Sequence, residues 1–239
     1  GDTYLLGANT VSSFRAMFGR TLVQKNQPQD YNTFSDIGVK NYYLTPGFPK
    51  YIYIASTFTL NGANTPSNQN ATLFQFSEDL SLVRGAHQLA IGGEYINTRM
   101  NTWGNVNTVG QMQFGAQQTG LGLGDFLLGR PSSWLQGSTS TFYQRQNSIS
   151  LYAQDTWKAT SKLTVNAGMR WEPFLPFWEK RGKTVLFDQA RFDQGVKSTI
   201  YKNAPAGLMF PGDSGFPETK KSSNNHWLNF ATRVGLALD

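Results

Sequence analysis

The sequence predicts an all-β fold of antiparallel strands, and three observations carry that expectation. Several segments alternate apolar and polar residues with a period of two, which places one kind on each face of a strand. The composition is polar but weakly ionic: of 239 residues only 15% are charged while 14% are aromatic, with 17 Phe, 10 Tyr and 6 Trp. Aromatics and Thr favour strands and Gly and Asn favour turns, so a helical chain is disfavoured. Finally, short and long links between these segments alternate along the chain.

The first amphipathic strand reads TVSSFRAMFGRT, where Phe14, Ala16 and Phe18 oppose Ser13, Arg15 and Met17. An irregular stretch from about 24 to 69 follows. A hairpin comes next, with Leu89, Ile91, Gly93 and Tyr95 on one face of its second strand, Gln88, Ala90, Gly92 and Glu94 on the other, and the turn at Arg84-Gly-Ala-His87. Its incoming arm, Leu73 to Val83, alternates less cleanly, because Phe74 and Phe76 share a side with Glu78 and Leu80.

The second irregular stretch, about 100 to 143, contains GDFLLGRP, which nearly spells a phosphate-binding loop. Gly124 and Gly129 have the spacing, but Pro131 stands where a hydroxyl would meet magnesium, and the segment from Ser132 to Gly137 is a poor helix beginning. Gly120, Gly122 and Gly124 fail as a dinucleotide fingerprint, since Asp125 or Leu127 occupies the third glycine's place. Leu127 and Leu128 are instead expected to pack this loop down, with Gly129 and Pro131 turning the chain.

The cleanest hairpin comes after it. Leu163, Val165, Ala167, Met169 and Trp171 oppose Thr164, Asn166, Gly168, Arg170 and Glu172. Just upstream, Ile149, Leu151, Ala153 and Trp157 oppose Ser150, Tyr152, Gln154 and Thr156, with Asp155 the one interruption on the apolar side and Ala159-Thr-Ser161 as the link. After a third irregular stretch, about 173 to 227, the strand LNFATRVGLALD sets Phe230, Thr232, Val234, Leu236 and Leu238 against Asn229, Ala231, Arg233 and Gly235.

In a barrel, consecutive connections lie at opposite ends, so all short turns share one rim and all long loops the other. That is the asymmetry of outer-membrane barrels, with short periplasmic turns and long extracellular loops. A soluble β-sandwich explains the alternation equally well. The Gly, Asn and Arg of one face, suited to a watery lumen, and the Trp and Tyr at strand ends, suited to a lipid interface, favour an antiparallel transmembrane β-barrel segment. No stretch approaches the roughly 20 apolar residues of a membrane helix, and Gly1-Asp-Thr-Tyr4 does not read as a signal peptide. There is no Cys, hence neither a disulfide nor a cysteine metal site. The net charge of +6 would permit an acidic partner such as nucleic acid or lipopolysaccharide, but Lys and Arg are scattered, with Glu179-Lys-Arg-Gly-Lys183 the only dense run, so no nucleic acid is expected.

The segment LYAQDTWKATSKLTVNAGMRWEP resembles the strand-turn-strand signature of the Oar-like TonB-dependent receptors, through Tyr152, Ala153, Gln154, Asp155, Trp157, Leu163, Thr164, Asn166, Gly168 and Arg170. GAHQLAIGGEY, PAGLMFPGDSGFP, NFATRVGLALD and TVSSFRAMFGRT resemble further words of that family in order, and Asp125 to Gly129 stand where it carries an Asp-Phe-Leu-Leu-Gly word. The resemblance implies an outer-membrane transporter that binds a scarce solute and releases it through the barrel when TonB pulls on a plug domain. It also implies a plug domain and a TonB box, of which the chain shows neither, so residues 1–239 are expected to be part of the barrel domain. The implied partners are outer-membrane lipid, the rest of the barrel with its plug, TonB, and a small solute, glycan or peptide.

No enzyme and no cofactor are expected. His87 and His226 are the only histidine bases, and Asp193, Asp213 and Glu218 lie in loops, where carboxylates usually face water. No nucleophile, base and oxyanion set converges. Two distant histidines do not make a metal site. The candidate ligand contacts are Arg15, Glu94, Asn166 and Arg170 on the polar sides of strands, and Trp134 and Trp178 in loops. Their other reading is hydrogen bonding to neighbours or the plug for the polar four, and loop packing or membrane-interface anchoring for the two Trp. The competing function is a β-rich surface binding or assembly module without transport.

Overall fold

The computed structural model describes residues 1–25, 35, 36, 38–40, 51–54, 58–60, 67–104, 108, 110–217, 220, 221 and 223–238. Its strands are β1 Asp2–Leu5, β2 Thr10–Lys25, β3 Tyr51–Ile54, β4 Phe58–Leu60, β5 Ser67–Arg84, β6 His87–Gly104, β7 Gln111–Phe114, β8 Ser133–Leu135, β9 Ser140–Lys158, β10 Leu163–Trp171, β11 Trp178–Glu179, β12 Leu186–Phe187, β13 Leu208–Met209 and β14 Phe230–Leu238. Two short helices, α1 Gly122–Leu127 and α2 Gln189–Asp193, lie in the links. The main sheet runs β1-β2-β5-β6-β9-β10-β14, with β11 also paired to β9.

Every turn joining sequential neighbours at one end of this sheet is short: 6–9, 85–86 and 159–162. Gly85, at φ 59°, supplies the left-handed corner of a two-residue turn. In the 159–162 turn the Thr160 hydroxyl accepts from the Leu163 amide at 3.0 Å. The links 26–66, 105–139 and 172–229 leave the other strand ends, so the alternation of short and long holds. The first two long links are shorter than the sequence suggests, because β5, β6 and β9 extend to 18, 18 and 19 residues, while the third, 172–229, is about as long as expected. They also carry structure that a search for sustained periodicity passes over, since elements of two to six residues give no period to detect.

The chain divides into two compact units. The first comprises Gly1–Arg20, Ala71–Met100 and Tyr143–Asp239. In it, Val165, Ala167, Met169 and Trp171 pair with Trp157, Asp155, Ala153 and Leu151 on one side and with Leu236, Val234, Thr232 and Phe230 on the other, so one face is apolar across three strands. The alternate residues give the opposite, polar face. The second unit, Thr21–Asn70 and Asn101–Phe142, has the small sheet β4-β3-β7-β8, in which β3 and β7 are parallel, a departure from the all-antiparallel expectation. Its core is Ile54 and Phe114, packed by Val39, Met112, Leu123 and Phe126.

Burial is distributed against the habit of a soluble sheet. Among the described residues the buried hydrophobics are Ile54, Phe114, Met209 and Phe216, none of them in the main sheet. Val234, Leu236 and Leu238 are 78%, 72% and 81% exposed, and Phe18, Ile91, Leu151 and Met169 are exposed as well. A sandwich would cover this face with a second sheet; here it is presented whole.

Candidate functional site

The polar face carries a bridge over several strands. The Arg15 guanidinium of β2 donates to Asp79 Oδ2 of β5 at 2.8 Å, and the Tyr152 hydroxyl of β9 donates to Asp79 Oδ1 at 2.6 Å. Strand β6 lies between β5 and β9, and Tyr152 crosses it at Gly92. A methyl group at Gly92 would sit 2.6 Å from Asp79 Oδ1 and 2.8 Å from the Glu78 carbonyl oxygen, besides striking the Tyr152 ring. The glycine is therefore a notch that lets the phenol reach its acceptor.

Tyr152 stands opposite Arg170 of β10. Arg170 donates through Nε to Glu172 at 2.9 Å and through Nη2 to the Ser150 hydroxyl at 3.2 Å. Beside it, Gln154, Asn166, Gly168, Arg170, Arg233 and Gly235 line a hollow of about 680 Å³. Its floor is low because Gly168 pairs with Arg233 and Asn166 with Gly235, so every large side chain has a glycine or a short residue beside it.

The predicted contacts come together in part. Arg15 and Arg170 belong to the bridge and its continuation, and Asn166 accepts from the Thr156 hydroxyl at 2.8 Å at the edge of the hollow. Glu94 shares the face but bonds the Gln75 amide. Trp134 lies in the second unit, opposite Met112, with its ring against Gly110, and Trp178 pairs in register with Arg145, the parity of the apolar face. Neither Trp joins the polar site. Asp79, Gly92, Ser150 and Arg233 are not among the contacts the sequence predicts, because pairing between strands outside one hairpin leaves no signal in it.

Three loop carboxylates have structural work. Asp125 is fully buried and accepts from the Thr119 hydroxyl at 2.7 Å, the Thr119 amide at 2.8 Å and the Gln118 amide at 3.2 Å. Glu179, 2% exposed, accepts from the amides of Tyr143, Arg181 and Lys183. Asp213, 5% exposed, accepts from the Thr199 amide and hydroxyl and the Phe210 amide, which corrects the expectation that it faces water. In all three, burial opposes the charge, yet the hydrogen bonds together outweigh it and hold the carboxyl below its usual range. Asp193 does face solvent, and Glu218 lies outside the described residues.

The GDFLLGRP word is corrected in the same way. Leu127 and Leu128 are 75% and 62% exposed and do not pack the loop down. Asp125 fastens it from within, and Phe126 meets Phe114 edge-on at 5.2 Å. Gly129, at φ 65°, turns the chain as expected. His87 is exposed in its turn and has partners there: its Nδ1 lies 2.6 Å from Asp155 Oδ2 and its ring stacks on Trp157 at 5.6 Å. Asp155, the interruption on the apolar side, thus has its partner there. Among the described residues no group of three or more His, Asp or Glu is placed to hold a metal, and no helix is long and apolar enough to cross a membrane.

An exposed apolar sheet face, a hydrogen-bonded polar face behind it and short turns confined to one end define a strand-built wall of a membrane barrel. The comparison with family models agrees: the chain belongs to the outer membrane beta barrel domain family, whose model matches residues 1–239. It is accordingly a protein of the bacterial outer membrane. Neither the curated proteins nor the solved structures gave a match.

Proposed function

We propose that the chain forms part of the barrel wall of a TonB-dependent transporter of the Oar-like kind, with its polar face toward the lumen and its long links outside the cell. The observation that carries this reading is the pair of unlike faces: the apolar one has none of its described hydrophobic residues buried, while the polar one holds the Arg15–Asp79–Tyr152 bridge and a hollow beside Arg170 and Arg233. Such a wall binds and passes a solute without breaking a bond. The work would come from TonB through a plug elsewhere in the parent protein, and no cofactor takes part.

Solute depletion from the medium, by cells with and without the parent gene and with and without a protonophore, tests the transport reading. At least one solute should disappear only when gene and proton gradient are both present. Depletion that survives the protonophore would mean a passive pore, and a strain indistinguishable from wild type would favour the surface-module alternative. Sidedness is tested with Ser161→Cys in a short turn and Leu128→Cys in a long link, both at exposed positions of a segment without Cys, in a parent protein whose other Cys, if any, are replaced. A membrane-impermeant maleimide on intact cells should label the Leu128 variant alone; labelling of both would sink the two-rim arrangement.

A further inference from the structure

The basic residues that look scattered in the sequence are collected by the sheet. On the apolar face, β9 carries Ile149, Leu151 and Ala153 between Asn147 and Asp155, and β6 carries Leu89, Ile91, Gly93 and Tyr95 between His87 and Asn97. The His87–Asp155 pair closes this band at the short-turn end, and an Asn97–Asn147 hydrogen bond of 2.6 Å closes it at the other.

One same-face step beyond that Asn pair stand Arg99 and Arg145, on adjacent strands and close enough for their like charges to oppose each other. Arg99 lies over the Phe74 ring at 5.1 Å, and Phe74 meets Phe18 at 5.2 Å. Counting from the two-residue turn at 85–86 sets Thr72 opposite Arg99. Thr72 and Arg20 are each one same-face step past the Phe74–Phe18 contact, so Arg20 and Arg99 flank Thr72. Arg181 adds a fourth guanidinium, 4.2 Å over the ring of Tyr143, the next residue of this face after Arg145. The carboxylate beside Arg145 is Glu179, but its oxygens accept three backbone amides and it is 2% exposed.

Arginine rows suit phosphate, whose oxygens match the guanidinium fork. This row lies on the apolar face, immediately past the apolar band, at the end from which the long links leave. We propose that Arg20, Arg99, Arg145 and Arg181 form a binding surface for the phosphate groups of an outer-leaflet lipid headgroup. The proposal rests on the reading of the apolar face as lipid-facing.

The test uses the whole parent protein, with its barrel closed, folded into phosphatidylcholine vesicles with or without bisphosphorylated lipid A, with insertion checked first by protease protection. Lipid A retained through mild detergent extraction is then measured by mass spectrometry. The Arg99→Gln, Arg145→Gln double variant should bind it about thirtyfold more weakly, from the usual contribution of a basic residue near an anionic surface. The Lys pair should keep most of the binding, which separates lost charge from lost folding. Wild type should hold dephosphorylated lipid A no better than the Gln variant holds the bisphosphorylated form. Unchanged retention in an inserted Gln variant overturns the proposal. So does displacement of lipid A by millimolar inorganic phosphate, which would mark a site for free anions. Failure of the wild type to insert would instead remove the lipid-facing reading itself.

Discussion

At the scale of residues, the Tyr152–Asp79 bond across Gly92 makes the sharpest demands. Tyr152→Phe removes one of the two donors to Asp79 and is expected to cost about 1 kcal/mol, a typical net value for such a bond. Coupling to Asp79→Asn in a double-mutant cycle, read from urea unfolding, should recover most of that loss. Gly92→Val should cost more than Tyr152→Phe, since its side chain also strikes the Asp79 carboxylate and the Glu78 carbonyl. A Val variant as stable as wild type would show that the notch is not needed. Asp155 is legible in the sequence as an interruption, but its meaning is not, because His87 lies 68 positions away and only pairing brings them together.

Asp213 gives a pH dependence at the same scale. Its folded carboxyl titrates below the unfolded value, so the stabilisation is complete above about pH 4, declines as pH falls below that ordinary value, and is gone below the folded one. Protection of the Thr199 and Phe210 amides from hydrogen exchange should therefore hold from neutral pH to about 5 and fall in stronger acid. Asp213→Asn should lower protection at neutral pH and flatten the response. A response identical to wild type would assign the loop's order to other contacts.

Among elements, the long strands are the most legible, because a period of two persists in them whatever they pair with. The arm from Ser67 to Arg84 reads poorly because Glu78 sits among Phe74, Phe76 and Leu80. In the structure the Ser12 hydroxyl donates to Glu78 from the neighbouring strand, so the carboxylate is partnered without a change of face. The loop elements are illegible for a different reason: β8, β11, β12 and β13 have two or three residues each and exist through partners distant in sequence. Glu179 is such a tie, joining 178–183 to the Tyr143 amide of β9. Glu179→Gln keeps the shape but loses the charge, and should raise proteolytic cutting between 180 and 185 severalfold while leaving the β-type circular dichroism unchanged. Loss of the β signal would mean that the tie supports the sheet itself. In the second unit, Gly110→Ala combines a left-handed position, φ 88°, with a direct collision against the Trp134 ring, and should shift the fluorescence of that Trp toward the solvent-exposed value.

For the whole molecule, the sequence is sufficient for the two ends and the two faces, since turn lengths and alternation are local quantities. It is insufficient for what the polar face does with its groups. Arg15 and Arg170 share a face by alternation alone, yet they belong to one system only because Asp79 and Tyr152 lie between them. Strands β5, β6 and β9, at 18, 18 and 19 residues, exceed the roughly 9 to 11 that cross a bilayer. Between Asp155 and Asn147 the apolar run of β9 covers eight steps, about 26 Å along the strand at roughly 3.3 Å each, close to the ~25 Å apolar band of such walls before tilt. The remainder of each strand then stands in the headgroup region and beyond.

The notch at Gly92 has one more consequence, for how the strands find their alignment as they assemble. A slip of β9 by one residue turns its apolar side over and is rejected by the solvent on either side. A slip by two keeps every face correct, so hydrophobicity is blind to it. After such a slip the Tyr152 ring would meet the side chain of Ala90 or Glu94 in place of bare backbone, and its hydroxyl would miss Asp79. A missing side chain thereby proofreads the smallest of the errors that the alternation of the sequence permits.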